Sequence, residues 1–129
     1  MYETLDLFRT SAALARHAGT RQAVAAINVA NADTPGFRAQ MLPDFADTYQ
    51  GAMRSTRPGH LGGSPDGVSD GVSGASSASQ DAGGEAAPNG NTVSLEAEMF
   101  ASAQASREHG RALAVWRHAA TVLRATLGG

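Results

Sequence analysis

Two stretches of the chain carry apolar residues at helical spacing, and they lie toward its two ends. In the first, Leu5, Phe8, Ala12, Ala15, Gly19, Gln22, Ala26 and Val29 follow alternating steps of three and four, which is a heptad seam. The pattern predicts a helix from about Thr4 to Asn31, with Thr4 as a candidate N-cap and Glu3 and Asp6 near its positive end. An offset stripe through Leu7, Leu14, Ala18, Ala25 and Asn28 gives this helix a second face fit for close contact. In the second stretch Leu95, Met99, Ser102, Ser106, His109, Leu113, Trp116, Ala120, Leu123 and Leu127 keep the alternation throughout, and the C-terminal half is the more apolar. Ser94 is its candidate N-cap, Glu96 and Glu98 sit in the first turns, and Gly128-Gly129 ends it after roughly 50 Å. The fold expected is all-α: long N- and C-terminal helices packing as a coiled-coil-like pair, joined by a loop and a flexible Gly/Ser-rich middle.

The residues between the helices divide by chemistry. Asn28-Val29-Ala30-Asn31-Ala32-Asp33-Thr34-Pro35-Gly36-Phe37-Arg38 must stop the first helix. Pro35 disfavours helical backbone at Thr34, and Gly36 offers the positive φ that the third position of a type II turn requires. Asn31 is suited to a left-handed conformation at the helix end, and the Asp33 side chain to bonding backbone two residues on. Beyond a short helix expected from Phe45 to Met53, the composition from about Gly51 to Thr92 shifts to glycine, serine, alanine and aspartate. Asp70 through Ala87 has the character of a linker, and Asn89-Gly90 is a turn signal. The division expected is 1–50 for the first helix and its loop, 51–93 for the linker and 94–129 for the second helix.

Composition narrows the chemistry. With 129 residues and a formal charge of −2, the chain suits one modest domain, with no strong field to attract nucleic acid or an acidic lipid surface. All ten basic residues are arginine and cysteine is absent, so no lysine base, disulfide or thiolate site can be built. No apolar run approaches the ~18 residues of a spanning helix, and the N-terminus lacks the pattern of a cleaved signal. The 42% hydrophobic content is largely alanine and aromatics make up only 5%, so an isolated subunit is expected to be marginal and to rely on association. His17, His60, His109 and His118 form no pair at ligand spacing, and Glu108-His109 lacks a second histidine one helical turn away. Trp116 reads as a packing anchor. Neither a catalytic residue nor a cofactor, metal or small-molecule substrate is expected.

The stretch from Asn28 to Arg38 resembles the Asn-Ile/Val-Ala-Asn-x-x-Thr-x-Gly-Tyr/Phe-Lys/Arg signature near the N-terminus of bacterial flagellar rod and hook proteins. Its Ala-Asp-Thr-Pro-Gly form looks most like the proximal rod proteins. Ala39, Asp44 and Phe45 match part of an Ala-Arg-Asp-x-Asp-Phe run of that subclass, from which Gln40, Met41 and one additional residue depart. Thr56-Arg57-Pro58-Gly59-His60-Leu61 and Asn91-Thr92-Val93-Ser94-Leu95-Glu96-Ala97-Glu98-Met99 resemble two further segments. The resemblance implies a structural subunit of the basal-body rod, exported without a cleaved signal and assembled in the periplasm. Its implied partners are copies of itself, other rod proteins, and the ring and export-gate components at the rod base. The residues it implies for the joint and for assembly are Asn28, Asn31, Thr34, Pro35, Gly36 and Phe37. The helix seam expected to pack comprises Leu95, Met99, Leu113, Trp116, Leu123 and Leu127.

Three classes of function are compatible with a small helical chain. A self-assembling subunit accounts best for the two faces of the first helix, since a polymer needs heterologous contacts. A non-polymerising helical adaptor or export-associated protein needs only one face. An enzyme lacks every constellation considered above.

Overall fold

The computed structural model describes residues 2–49 and 79–128. The linker from 51 to 78, with His60, lies outside the described residues. Helix α1 spans Tyr2–Ala30. It contains no proline or interior turn signal, and Thr10 and Thr20 fold their hydroxyls back onto the carbonyls of Asp6 and Arg16 one turn earlier. It starts two residues before the expected point, so Thr4 lies within the first turn and is not its cap. Next come strand β1 (Gln40–Met41), a helical turn α2 whose described part is 45–49, strand β2 (Gln80–Asp81) and helix α3 (Leu95–Leu127). The expected short helix over 45–53 is thus helical as far as it is described. Ser94 is the N-cap of α3 as expected, accepting from the Ala97 N–H, and Gly128 closes it by donating to the Arg124 carbonyl.

The fold is mostly helical, and all-α needs one correction. β1 and β2 pair antiparallel, Gln40 opposite Asp81 and Met41 opposite Gln80. The Ala82 N–H continues the ladder to the Ala39 carbonyl at 2.9 Å. Gln40 and Met41 follow a turn that has just reversed the chain, where an extended strand satisfies backbone groups that no helix reaches.

The two long helices pack antiparallel, their register set by Phe8 against Trp116, Arg21 against Glu108 and Asn28 against Glu98. Within the single chain the face they bury differs from the expected seam of α3 and follows the offset stripe of α1. On α3 the buried positions are Glu98, Ala105, Ala112 and Ala119, every seventh residue. On α1 they include Ser11, Ala18, Ala25 and Asn28, most of which belong to the offset stripe. Leu95, Met99, Trp116 and Leu127 of the expected seam are exposed, and Leu113 and Leu123 are half-buried. Alanine seams let two helices approach more closely than leucine or tryptophan would allow, and close-packed neighbours replace large side chains as the source of dispersion energy. On α3 a count of apolar bulk by position favours a different stripe from the one facing α1, because the inward one is made of small residues.

The two flanks of this pair differ. On one, Ala13 and His17 of α1 are buried, as are Ala39 and Leu42 of the chain returning from the loop. His17 Nε2 lies 2.9 Å from the Pro43 carbonyl. A carbonyl only accepts, so Nε2 donates here, and Nδ1 is buried without a partner among the described residues. Phe45 stands edge-on to the His17 ring and packs on Tyr49. Arg21 grips both oxygens of Glu108 at 2.9–3.0 Å, with Asp44 at 3.7 Å from the same nitrogen. On the other flank Gln22, Ala26 and Val29 of α1 face Met99 and Ser102 of α3 across an open groove.

Candidate functional site

The stretch that ends α1 folds as a joint, and its partners come from the segment just before α3. Pro35 and Gly36 make the turn, with Gly36 at φ +73° and the Phe37 N–H donating to the Thr34 carbonyl at 3.2 Å. That turn is pinned from outside. The Gly36 N–H donates to the Asn89 carbonyl, the Thr92 N–H to the Phe37 carbonyl, and the Ala39 N–H to the Thr92 hydroxyl, at 2.8–3.0 Å. Gly90, at φ +83°, brings the second turn so close that a β-carbon there would lie 3.4 Å from the Gly36 α-carbon.

Two buried asparagines lock the joint. Asn28 is fully buried; its amide donates to the Gln40 carbonyl at 2.7 Å and to Glu98 Oε1 at 2.9 Å, and its oxygen accepts the Gln40 N–H at 3.0 Å. One side chain thus ties together α1, β1 and the first turn of α3. Glu98 is buried with it, where the N-terminal end of a helix favours a negative charge. Asn91 does the complementary work at the end of α1. Its amide nitrogen lies 2.8–2.9 Å from the carbonyls of Asn31, Ala32 and Thr34, while its oxygen accepts the Val93 N–H. The carbonyls that a helix end leaves without partners are therefore capped by a residue 60 positions away.

Of the expected loop residues, the structure brings Asn28, Asn31, Thr34, Gly36 and Phe37 into this network and leaves Pro35 exposed at the turn. Asn31 is not left-handed, because no residue but glycine has positive φ among the described ones. It instead donates to the Ile27 carbonyl and accepts from the Thr34 hydroxyl. The backbone leaves the helix through successive turns, so the left-handed step falls at Gly36, where it costs least. The Asp33 side chain makes no hydrogen bond among the described residues, and the turn it was expected to brace is held by Asn91. Residues 79–93, expected as the end of a linker, form half of the joint, with Asn91 and Thr92 buried. Sequence reading missed Asn91, Thr92 and Glu98 as partners. The available signal was Asn28 itself, a polar residue continuing the alanine stripe, which demands buried partners.

At the edge of the joint Arg38 pairs with Asp81, and Asp81 also accepts the Gly83 N–H at 2.8 Å. The Gly83 N–H first, and the Arg38 guanidinium second, hold the Asp81 carboxyl below its usual value of 3.8. The joint contains no nucleophile beside a base, and among the described residues no cluster of three metal-ligating side chains exists. What it does chemically is fix the exit of one helix against the entry of another.

A family model described as Flagella basal body rod protein matches residues 11–38, from the buried face of α1 through the turn. Over that span the chain is similar to proteins of the flagellar basal-body rod. No curated protein and no solved structure matches the chain.

Proposed function

We propose that this chain is a structural subunit of the bacterial flagellar basal-body rod, in its proximal segment, assembling with copies of itself and with other rod proteins into the tube that transmits torque. The observation that carries this reading is a coincidence of position. The span similar to rod proteins, residues 11–38, supplies the α1 half of the buried helix contact and of the joint. Its role is mechanical. A joint made of short hydrogen bonds to buried asparagines holds two long helices at one angle, and interiors packed at native density do not yield smoothly under torsion.

Assembly is supported by what the isolated chain leaves unburied. Phe100 is 75% exposed, Met99 70% and Leu127 67%, while the positions it buries on α3 are mostly alanine. On this reading the protein is exported by the flagellar apparatus without cleavage, reaches the periplasm, and meets ring and export-gate components at the rod base. Deleting the gene, restoring a tagged copy and imaging purified basal bodies tests it. Loss of the rod on deletion, with the tag found at its base, is the expected result. Intact rods without the protein would make the non-polymerising adaptor the better reading.

A further inference from the structure

The open flank has a groove of about 590 Å³ at the joint end, walled by Ala26 and Val29 on one side and Met99 and Ser102 on the other. Both walls come from the seams expected to pack. Toward the opposite end the walls meet, where Phe8 closes edge-on against Trp116 with ring centroids 5.7 Å apart. An apolar trough with helical banks at heptad spacing fits another helix.

The chain itself carries a helix end suited to it. In the antiparallel register set by Phe8–Trp116 and Asn28–Glu98, the last turn of α3 lies at the end of the pair away from the joint and exposes Leu127. Charge follows the same polarity. Asp33, Asp81, Glu85 and Glu96 are exposed at the joint end, with Arg38 paired to Asp81. From His109 to Leu127, α3 contains no acidic residue and exposes Arg117, His118 and Arg124. Glu3 and Asp6 of α1 share that far end with Arg9, but the last turn of α3 itself bears only Arg124. Resting on the reading of the chain as an assembling subunit, we propose that the groove between Ala26 and Met99 receives the C-terminal turn of α3 from a second copy, Leu127 seated in the trough and Arg124 against Glu96. Because the two surfaces differ, the contact is heterologous and can repeat from copy to copy.

The absence of native cysteine gives a direct test. Full-length A26C and L127C proteins, each single-cysteine and both changed at exposed positions, are mixed and oxidised. The mixed dimer is expected to exceed either homodimer. Adding R124E to the L127C chain should lower its yield by about fivefold, and adding E96R to the A26C chain should restore it. Homodimers as abundant as the mixed species, or a yield indifferent to R124E with helicity unchanged, would overturn the contact. Rods that assemble in cells while the mixed cross-link never forms would sink this contact and spare the rod reading. A strong mixed cross-link with rods unaffected by gene deletion would do the reverse.

Discussion

The joint and the open flank of the helix pair are built from opposite materials. The joint is polar and internally complete: Asn28, Asn91, Thr92 and Glu98 are buried and each has hydrogen-bond partners within the chain. The open flank presents large apolar side chains with none of the described residues packed over them. The difference teaches how a small, alanine-rich chain divides its sequence. Directional bonds and close alanine contacts define one fold for the single chain, and the apolar area that would stabilise a larger core faces outward, available for association.

Breaking the joint should have the largest effect on the single chain. Asn28→Ala leaves Glu98 and both backbone groups of Gln40 without their partner, at a cost of about 3 kcal/mol, read as a lower urea midpoint with helix content partly lost. Next comes the alanine contact. Ala112 is fully buried, and Ala112→Leu forces the helices apart, costing about 2 kcal/mol by the same assay. A gain in stability there would mean that the helices can separate without loss. Gly36→Val should cost about 1–2 kcal/mol through backbone alone, since a β-carbon at Gly36 meets no atom within 4 Å. Rods are expected to fail in that variant, and normal rods would contradict the importance of the turn.

The smallest effect belongs to Asp81, at the edge of the joint. Its carboxyl titrates below 3.8 in the folded chain. Its contribution is therefore present above the unfolded value and lost as pH falls through the lowered folded one. Unfolding midpoints of the parent and of Asp81→Asn should converge as the solution is acidified below 3.8, and a gap that widens instead would reverse the assignment.

Much of this was legible in the sequence. The two long helices followed from periodicity, the Ser94 cap from its hydroxyl ahead of Glu96 and Glu98, and the turn from Pro35-Gly36. The face on which the helices meet was legible on α1, as the offset stripe through Ala18, Ala25 and Asn28, but not on α3. Alanine at 105, 112 and 119 carries little hydrophobic signal one residue at a time, and its advantage arises only when two such stripes face each other. The joint was half legible. Asn28 lies in a recognisable motif, but Asn91 pairs with a loop about 60 residues earlier, a distance no local rule spans. Residues of a Gly/Ser-rich stretch look like a linker until a buried partner is found for Asn91 and Thr92.

The division between joint and open flank is tested most directly by Met99→Asp, a substitution at a residue 70% exposed in the single chain. Thermal unfolding of the purified protein and electron microscopy of basal bodies are measured on the same variant. The account predicts an unfolding midpoint within error of the parent, because nothing packed is disturbed, together with loss of rods, because a charge now lies in the contact between subunits. Normal rods with an unchanged midpoint would show that this flank faces solvent in the assembly, and the division of labour proposed for the chain would fall.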